Sequence, residues 1–170
     1  MNVYVIYDRY ERDEWLSVYA IETNKRRAIK KFKEECLPDF LAYGPDDCHS
    51  FQLQKVQMEN KQYKRFCSLV ENETSDSQNP DNQELKDMLI AMFDEDFDMF
   101  YEFETIFSTD GCSDNVEVVD FYIANYEITD PDESEYDDED DYRYAVMEKL
   151  YNDNELYDEI IKKYIKINYR

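Results

Sequence analysis

From Glu71 to Tyr142 the chain carries 26 Asp and Glu residues against a single lysine, Lys86. No other feature limits the fold so strongly. A block of 72 residues at a net charge of −25 repels itself at every stage of compaction. It holds together only if its apolar residues are spaced to build a core that keeps the carboxylates in water. The flanks are near neutral: residues 1–70 hold 12 Lys/Arg and 11 Asp/Glu, and residues 143–170 hold 6 and 5. Solubility alone asks for a net charge of magnitude about 2–8 in a small domain. A charge this concentrated therefore leads to the expectation of a basic partner.

The apolar content is sufficient for a core. Hydrophobic residues make up 42% of the 170, with 16 Tyr and 10 Phe, which excludes a wholly disordered chain. Two Gly and four Pro are too few for a glycine-rich phosphate loop or a many-turned small barrel. The four cysteines, at 36, 48, 67 and 112, form no C-x-x-C pair. No apolar run approaches the roughly 18 residues that span a membrane. The opening MNVYVIYDRY has the form of neither a signal nor a transit peptide. The expectation is a cytoplasmic protein with reduced thiols, no cofactor, and no affinity for an anionic membrane.

The pattern of residues predicts an α+β chain: an N-terminal β-β-α-β unit, then an acidic region of a helix, a β-hairpin and further helices. NVYVIYDRY alternates, with Val3, Val5 and Tyr7 on one side and Tyr4 and Ile6 on the other. A polar turn at Glu11–Asp13 leads to a second strand in EWLSVYAIET. Thr23 or Asn24 caps a helix over KRRAIKKFKEEC, with Pro38 near its end. SFQLQKVQM (50–58) is a third strand, and NKQYKRFCSLV a short helix. ENETSDSQNPDNQ (71–83) has no apolar side chain and is expected as a linker or long loop between 1–70 and 84–170. Asn79-Pro80 or Asn82 then opens a helix with an apolar stripe at 85, 88, 89, 92, 93, 97 and 100, expected to reach Phe97 with its Phe residues in the core. YEFETIF and VEVVDFYIANYEI, joined through STDGCSDN, are expected as a hairpin because β-branched and aromatic residues dominate them. YAVMEKLY and NELYDEIIKKYIKI are expected as helices broken at Asn152-Asp153-Asn154, with Asp153 or Asn154 as the cap.

Catalytic and metal motifs are sparse. His49 is the one histidine and stands beside Cys48, where neighbours on a loop usually point apart. Asp94, Asp96 and Asp98 have the alternate spacing that opens a calcium loop, but Met99 and Thr105 stand where Gly and Glu are needed. The run from Asp130 fails at Glu135 in the same way. Asp81, Glu84 and Lys86 are the residue types of a metal-dependent nuclease site, yet all fall within six residues at a helix start. No metal site and no catalytic residue is therefore assigned, and the expectation is a protein that is not an enzyme. Lys25, Arg26, Arg27, Lys30, Lys31 and Lys33 form a basic helix face with three readings. It is a solvated face; or it holds part of the acidic block, within the molecule or across a homodimer; or it contacts nucleic acid, which a chain this acidic disfavours.

The acidic block has two peaks. DEDFDMFYEFE (94–104) places Asp94, Glu95, Asp96, Asp98, Glu102 and Glu104 in eleven residues. As a helix it would rise about 16 Å, over which B-DNA offers roughly ten phosphates. DPDESEYDDEDDY (130–142) is denser, with Asp130, Asp132, Glu133, Glu135, Asp137, Asp138, Glu139, Asp140 and Asp141. Like-charge spacings Glu133/Asp137, Glu135/Glu139 and Asp137/Asp141 disfavour an isolated helix there, and Asp130 precedes a proline. Tyr136, Tyr142 and Tyr144 punctuate the charge and suit contact with arginine.

On residues 94–104 and 130–142, and on its Tyr-, Asn- and Asp/Glu-rich composition, the chain resembles phage-encoded anti-CRISPR inhibitors that act as nucleic-acid mimics. The resemblance is one of type and not of aligned motif. It implies a CRISPR RNA-guided nuclease or its guide complex as partner, whose Arg/Lys-lined channels an acidic surface would enter, in the cytoplasm of a bacterial host. Two alternatives stand beside it: an immunity protein neutralising a basic toxin, and a small nucleic-acid-binding or enzymatic protein using residues 25–33 and His49.

Overall fold

A computed structural model describes residues 1–10, 15–43, 49–73, 80–109 and 115–169. The turn at Glu11–Asp13, residues 74–79 of the polar stretch 71–83, the STDGCSDN turn beyond Thr109, and Cys48 lie outside the described residues, as does the side chain of His49.

Strand β1 (Asn2–Tyr10) pairs antiparallel with β2 (Trp15–Glu22) on one side and with β3 (His49–Gln57) on the other. β4 (Glu102–Ser108) adds to β3, also antiparallel, so the sheet order is β2-β1-β3-β4. Both faces of β1 are covered, which explains why Val3, Tyr4, Val5, Ile6 and Tyr7 are all buried. On one face Val3, Val5 and Tyr7 join Val56 of β3 in a core with Phe66 and Leu69 of α3 (Asn60–Glu71), and Leu85, Met88, Leu89 and Met92 of α4 (Gln83–Phe93). On the other face Ile6 pairs with Leu53, which pairs with Phe107. Phe32 stacks on Phe107 with ring centres 5.6 Å apart, which fixes α1 (Lys25–Lys31) and the π-helical turn Phe32–Cys36 on that side.

A buried polar pair sits in the first core: the Tyr7 hydroxyl donates to Gln54 Oε1 at 2.7 Å. Burial raises the Tyr7 pKa well above its ordinary value, so the phenol stays a donor.

The helical backbone does not stop at Pro38. After the π-helical turn it continues as α2 (Leu37–Tyr43). Pro38 is the second residue of that segment and follows directly on the π-helical turn.

The chain divides by packing into two units, residues 1–36 with 47–112 and residues 37–46 with 113–170. The second unit is helical: α2, α5 (Asn115–Asn125), α6 (Glu139–Asn152) and α7 (Asn154–Asn168). Leu37, Leu41, Val118, Val119, Val146, Leu150, Ile160 and Ile161 are buried in it. The buried Tyr157 hydroxyl donates to the Leu41 carbonyl at 2.7 Å, tying α7 to α2.

Three expectations are corrected. Residues 116–125 form helix α5 and not a strand, so β4 has no hairpin partner there and pairs with β3 instead. The β-branched residues Val118 and Val119 prefer strands only weakly; burial in the second unit decides their backbone. Helix α4 ends at Phe93, with Phe97 outside it and 65% exposed, so Phe97 is not a core residue. The helical run from Lys25 does not end near Pro38 but continues to Tyr43.

Candidate functional site

The charge block crosses both packing units. The first unit holds 22 Asp/Glu and 13 Lys/Arg; the second holds 20 and only 6. The two acidic peaks fall in different units: 94–104 in the first, 130–142 in the second.

In the second unit the tract 130–142 is built, residue by residue, on local hydrogen bonds. Asp130 pairs with Lys149, and Pro131 behind it is buried. Asp132 Oδ1 accepts from both the Ser134 hydroxyl (2.7 Å) and the Ser134 amide (2.9 Å), closing a 3₁₀ turn at Glu133–Glu135. Those two bonds, the hydroxyl's first, hold the Asp132 carboxyl below the usual carboxylate range. Asp138 caps α6 through the Asp140 amide at 2.7 Å. Glu139, Asp140 and Asp141 fill the first helical turn, where negative charge meets the positive end of the helix dipole. None of the three like-charge spacings lies inside a helix, because α6 begins only at Glu139. The repulsion expected of a helix through 133–141 is thereby avoided.

Arg143 is the positive centre of this face. Its Nε meets Asp120 of α5 at 2.6 Å, and its other two nitrogens reach Asp140 at 3.0 Å and Glu139 at 3.4 Å. The bond to Asp120, first of these, holds the guanidinium even more firmly protonated. With Lys149 it neutralises three of the nine carboxylates in the tract: Asp130, Glu139 and Asp140. The other six, Asp132, Glu133, Glu135, Asp137, Asp138 and Asp141, face water with no cation among the described residues. Tyr142 is turned inward, 6% exposed, with the Tyr136 ring 5.8 Å from its own. Tyr142 thus braces the face from below, and Tyr144, 65% exposed, is the tyrosine that reaches solvent.

In the first unit DEDFDMFYEFE is not a helix. Asp94, Glu95, Asp96 and Asp98 lie in a turn after α4, whereas Glu102 and Glu104 lie on β4. The helical charge spacing estimated from sequence does not apply to it. Lys55 on the neighbouring strand pairs with Glu102 at 2.8 Å and with Glu104 at 3.7 Å. Lys25 reaches Glu104 at 3.8 Å. The basic helix is likewise occupied within the molecule: Lys30 pairs with Glu34, Lys31 with Glu35, and Lys33 lies 5.2 Å over the Phe107 ring. Arg26 and Arg27 are exposed.

Sequence reasoning passed over Arg143, Lys55 and Ser134. The spacing of Arg143 after Glu139 and Asp140 is legible, since i+3 and i+4 neighbours meet on a helix. Its bond to Asp120 and the Lys55–Glu102 pair depend on packing. Among the described residues, no helix is long and apolar enough to cross a membrane. Comparison with known proteins found no matching family model, no similar curated protein and no similar solved structure.

Proposed function

We propose that this protein is a non-enzymatic inhibitor that acts in the cytoplasm of a bacterial host. It binds a nucleic-acid-processing protein, in the first instance a CRISPR RNA-guided nuclease, and presents carboxylates in place of phosphates. One observation carries this reading. Six carboxylates between Asp132 and Asp141 stand in water with no cation among the described residues, on backbone fixed by a cap, a 3₁₀ turn and the start of α6. A rigid anionic array is what a cationic nucleic-acid channel recognises, and holding it in place beforehand lowers the ordering cost of binding. The engagement of Lys25, Lys30 and Lys31 with carboxylates of their own unit favours this face over the basic helix.

The test is a titration of guide-loaded RNA-guided nuclease with the protein at low and high salt, reading target cleavage. Inhibition should weaken steeply as salt rises. Replacing Asp132, Glu133, Glu135, Asp137, Asp138 and Asp141 by Asn or Gln should abolish it. Inhibition that is indifferent to salt, or that survives the six substitutions, rejects the phosphate-mimic reading. Failure to inhibit the nuclease, with salt-dependent neutralisation of a basic toxin instead, assigns the same face to an immunity protein.

A further inference from the structure

The turn after α4 carries a second surface of different chemistry. Helix α4 ends in a Schellman motif: the Asp96 amide donates to the Ala91 carbonyl at 2.7 Å and the Glu95 amide to Met92 at 3.3 Å, with Glu95 at φ 57°. The turn is braced further. Asp96 Oδ1 accepts from the Asp98 amide at 2.9 Å, and Gln62 Nε2 of α3 donates to the Met99 carbonyl at 3.0 Å. This fixed turn exposes large apolar groups. Ile90, Phe97, Met99 and Tyr101 are 54%, 65%, 38% and 66% exposed. Beside it, Met88, Met99 and Phe100 line a groove of about 580 Å³ between α3 and α4, rimmed by Lys61, Asp87 and the ion-paired Arg65 and Glu84, so the rim itself is balanced in charge. Such a concentration of exposed apolar surface marks an interaction site more often than a bare surface.

We propose that this surface docks a basic amphipathic segment of a partner protein, with an apolar side chain in the groove and Arg or Lys side chains against the turn. The charge selects the occupant. Asp94, Glu95, Asp96 and Asp98 lie in the same turn as Phe97 and Met99 and have no cation among the described residues. A second copy of this chain would bring the same patch against itself in a two-fold contact, placing carboxylates against carboxylates. An anionic lipid surface is repelled for the same reason. A guanidinium is matched twice, by the carboxylates and by the faces of Phe97 and Tyr101. The occupant's charge follows from reading the chain as a binder of a basic protein; its apolar anchor is independent of the phosphate-mimic face.

Two helical peptides of equal positive charge test this by fluorescence anisotropy, one with a Leu/Trp face and one with those residues changed to Ser. The apolar-faced peptide should bind the intact protein at least about tenfold tighter, the scale expected for burying one large apolar side chain. Phe97→Ser with Met99→Ser should remove that difference. Asp94→Asn, Asp96→Asn and Asp98→Asn together should weaken both peptides. Neutralising Asp132–Asp141 should leave the preference intact, so failure here is distinguishable from failure of the mimic. Equal affinity for the two peptides overturns the proposal. So does a preference that survives the Phe97 and Met99 changes, or a dimer in sedimentation that those changes dissolve.

Discussion

At the scale of single residues, the acidic face is an assembly of local hydrogen bonds with one cation at its centre. Asp132 is the clearest case. Its folded pKa lies below its ordinary value of about 3.9. The stabilisation it contributes is therefore complete above that value and is lost as pH falls through the depressed folded one. Ser134→Ala removes the hydroxyl that is the larger cause of the shift, so the Asp132 carboxyl should titrate closer to the ordinary value. Carboxyl-carbon NMR reads this directly, and an unchanged Asp132 titration in the variant contradicts the assigned bond. Arg143 sits among Asp120, Glu139 and Asp140, and these carboxylates lose their shared cation in Arg143→Met. That variant should melt at a lower temperature, with the deficit largest at low salt, where the released repulsion is least screened. A deficit that does not depend on salt makes Arg143 a packing residue instead. Of these groups, the cap at Asp138 and the spacing Glu139/Asp140/Arg143 are legible in the chain itself. The bond from Arg143 to Asp120 spans 23 residues, and no local pattern contains it.

At the scale of elements, what could be read depended on whether local chemistry or tertiary packing set the backbone. Asn24, Asn82 and Asp153 cap their helices through the Arg27, Leu85 and Leu156 amides, as their side chains predict. Asp153→Ala should therefore destabilise the protein by about 1 kcal/mol, read from urea unfolding followed at 222 nm. No change in the urea midpoint would mean that the α6–α7 junction is held by packing alone. The sheet's first three strands were legible because β-branched and aromatic residues dominate the first two and apolar residues alternate with polar ones in SFQLQKV. VEVVDFYIAN was not, since its residues favour a strand and only the surrounding helices make it α5. The end of α4 was hidden for a different reason. A glycine or asparagine is the usual residue in the left-handed position of a Schellman motif, and here it is Glu95. With no such marker, the apolar stripe runs on to Phe97 in the sequence, and Phe97, which the turn exposes, is read as core. The π-helical turn at Phe32–Cys36 left no sequence mark at all, and with it went the passage through Pro38.

At the scale of the whole molecule, 42 carboxylates and 19 basic side chains act on folding and on binding with opposite sign. In the folded chain most charge pairs are like pairs, and compaction brings them together at a cost. Salt screens that repulsion over a Debye length that shrinks to about 10 Å at 0.1 M. It also weakens the ion pairs at Arg143, Lys149 and Lys55, but these involve few of the carboxylates. Repulsion dominates the sum, so the melting temperature should rise with sodium chloride, mostly between about 0.01 and 0.15 M. Hydrogen exchange should place the larger gain in the second unit, where 20 acidic residues face 6 basic ones. Against a cationic partner the same carboxylates are attractive, and the same salt weakens the complex. Neutralising Glu133, Glu135 and Asp137, the three that neither close the Asp132 turn, cap α6 nor sit in its first turn, should likewise stabilise the free protein while weakening its affinity for a nucleic-acid channel. Residues kept at a cost to the fold belong to function, and this pair of measurements exposes that cost. The decisive result is the sign for the free protein. If the neutralised variant melts lower than the original, or if salt lowers the melting temperature, the carboxylates serve the fold itself and the case for a partner loses its physical basis.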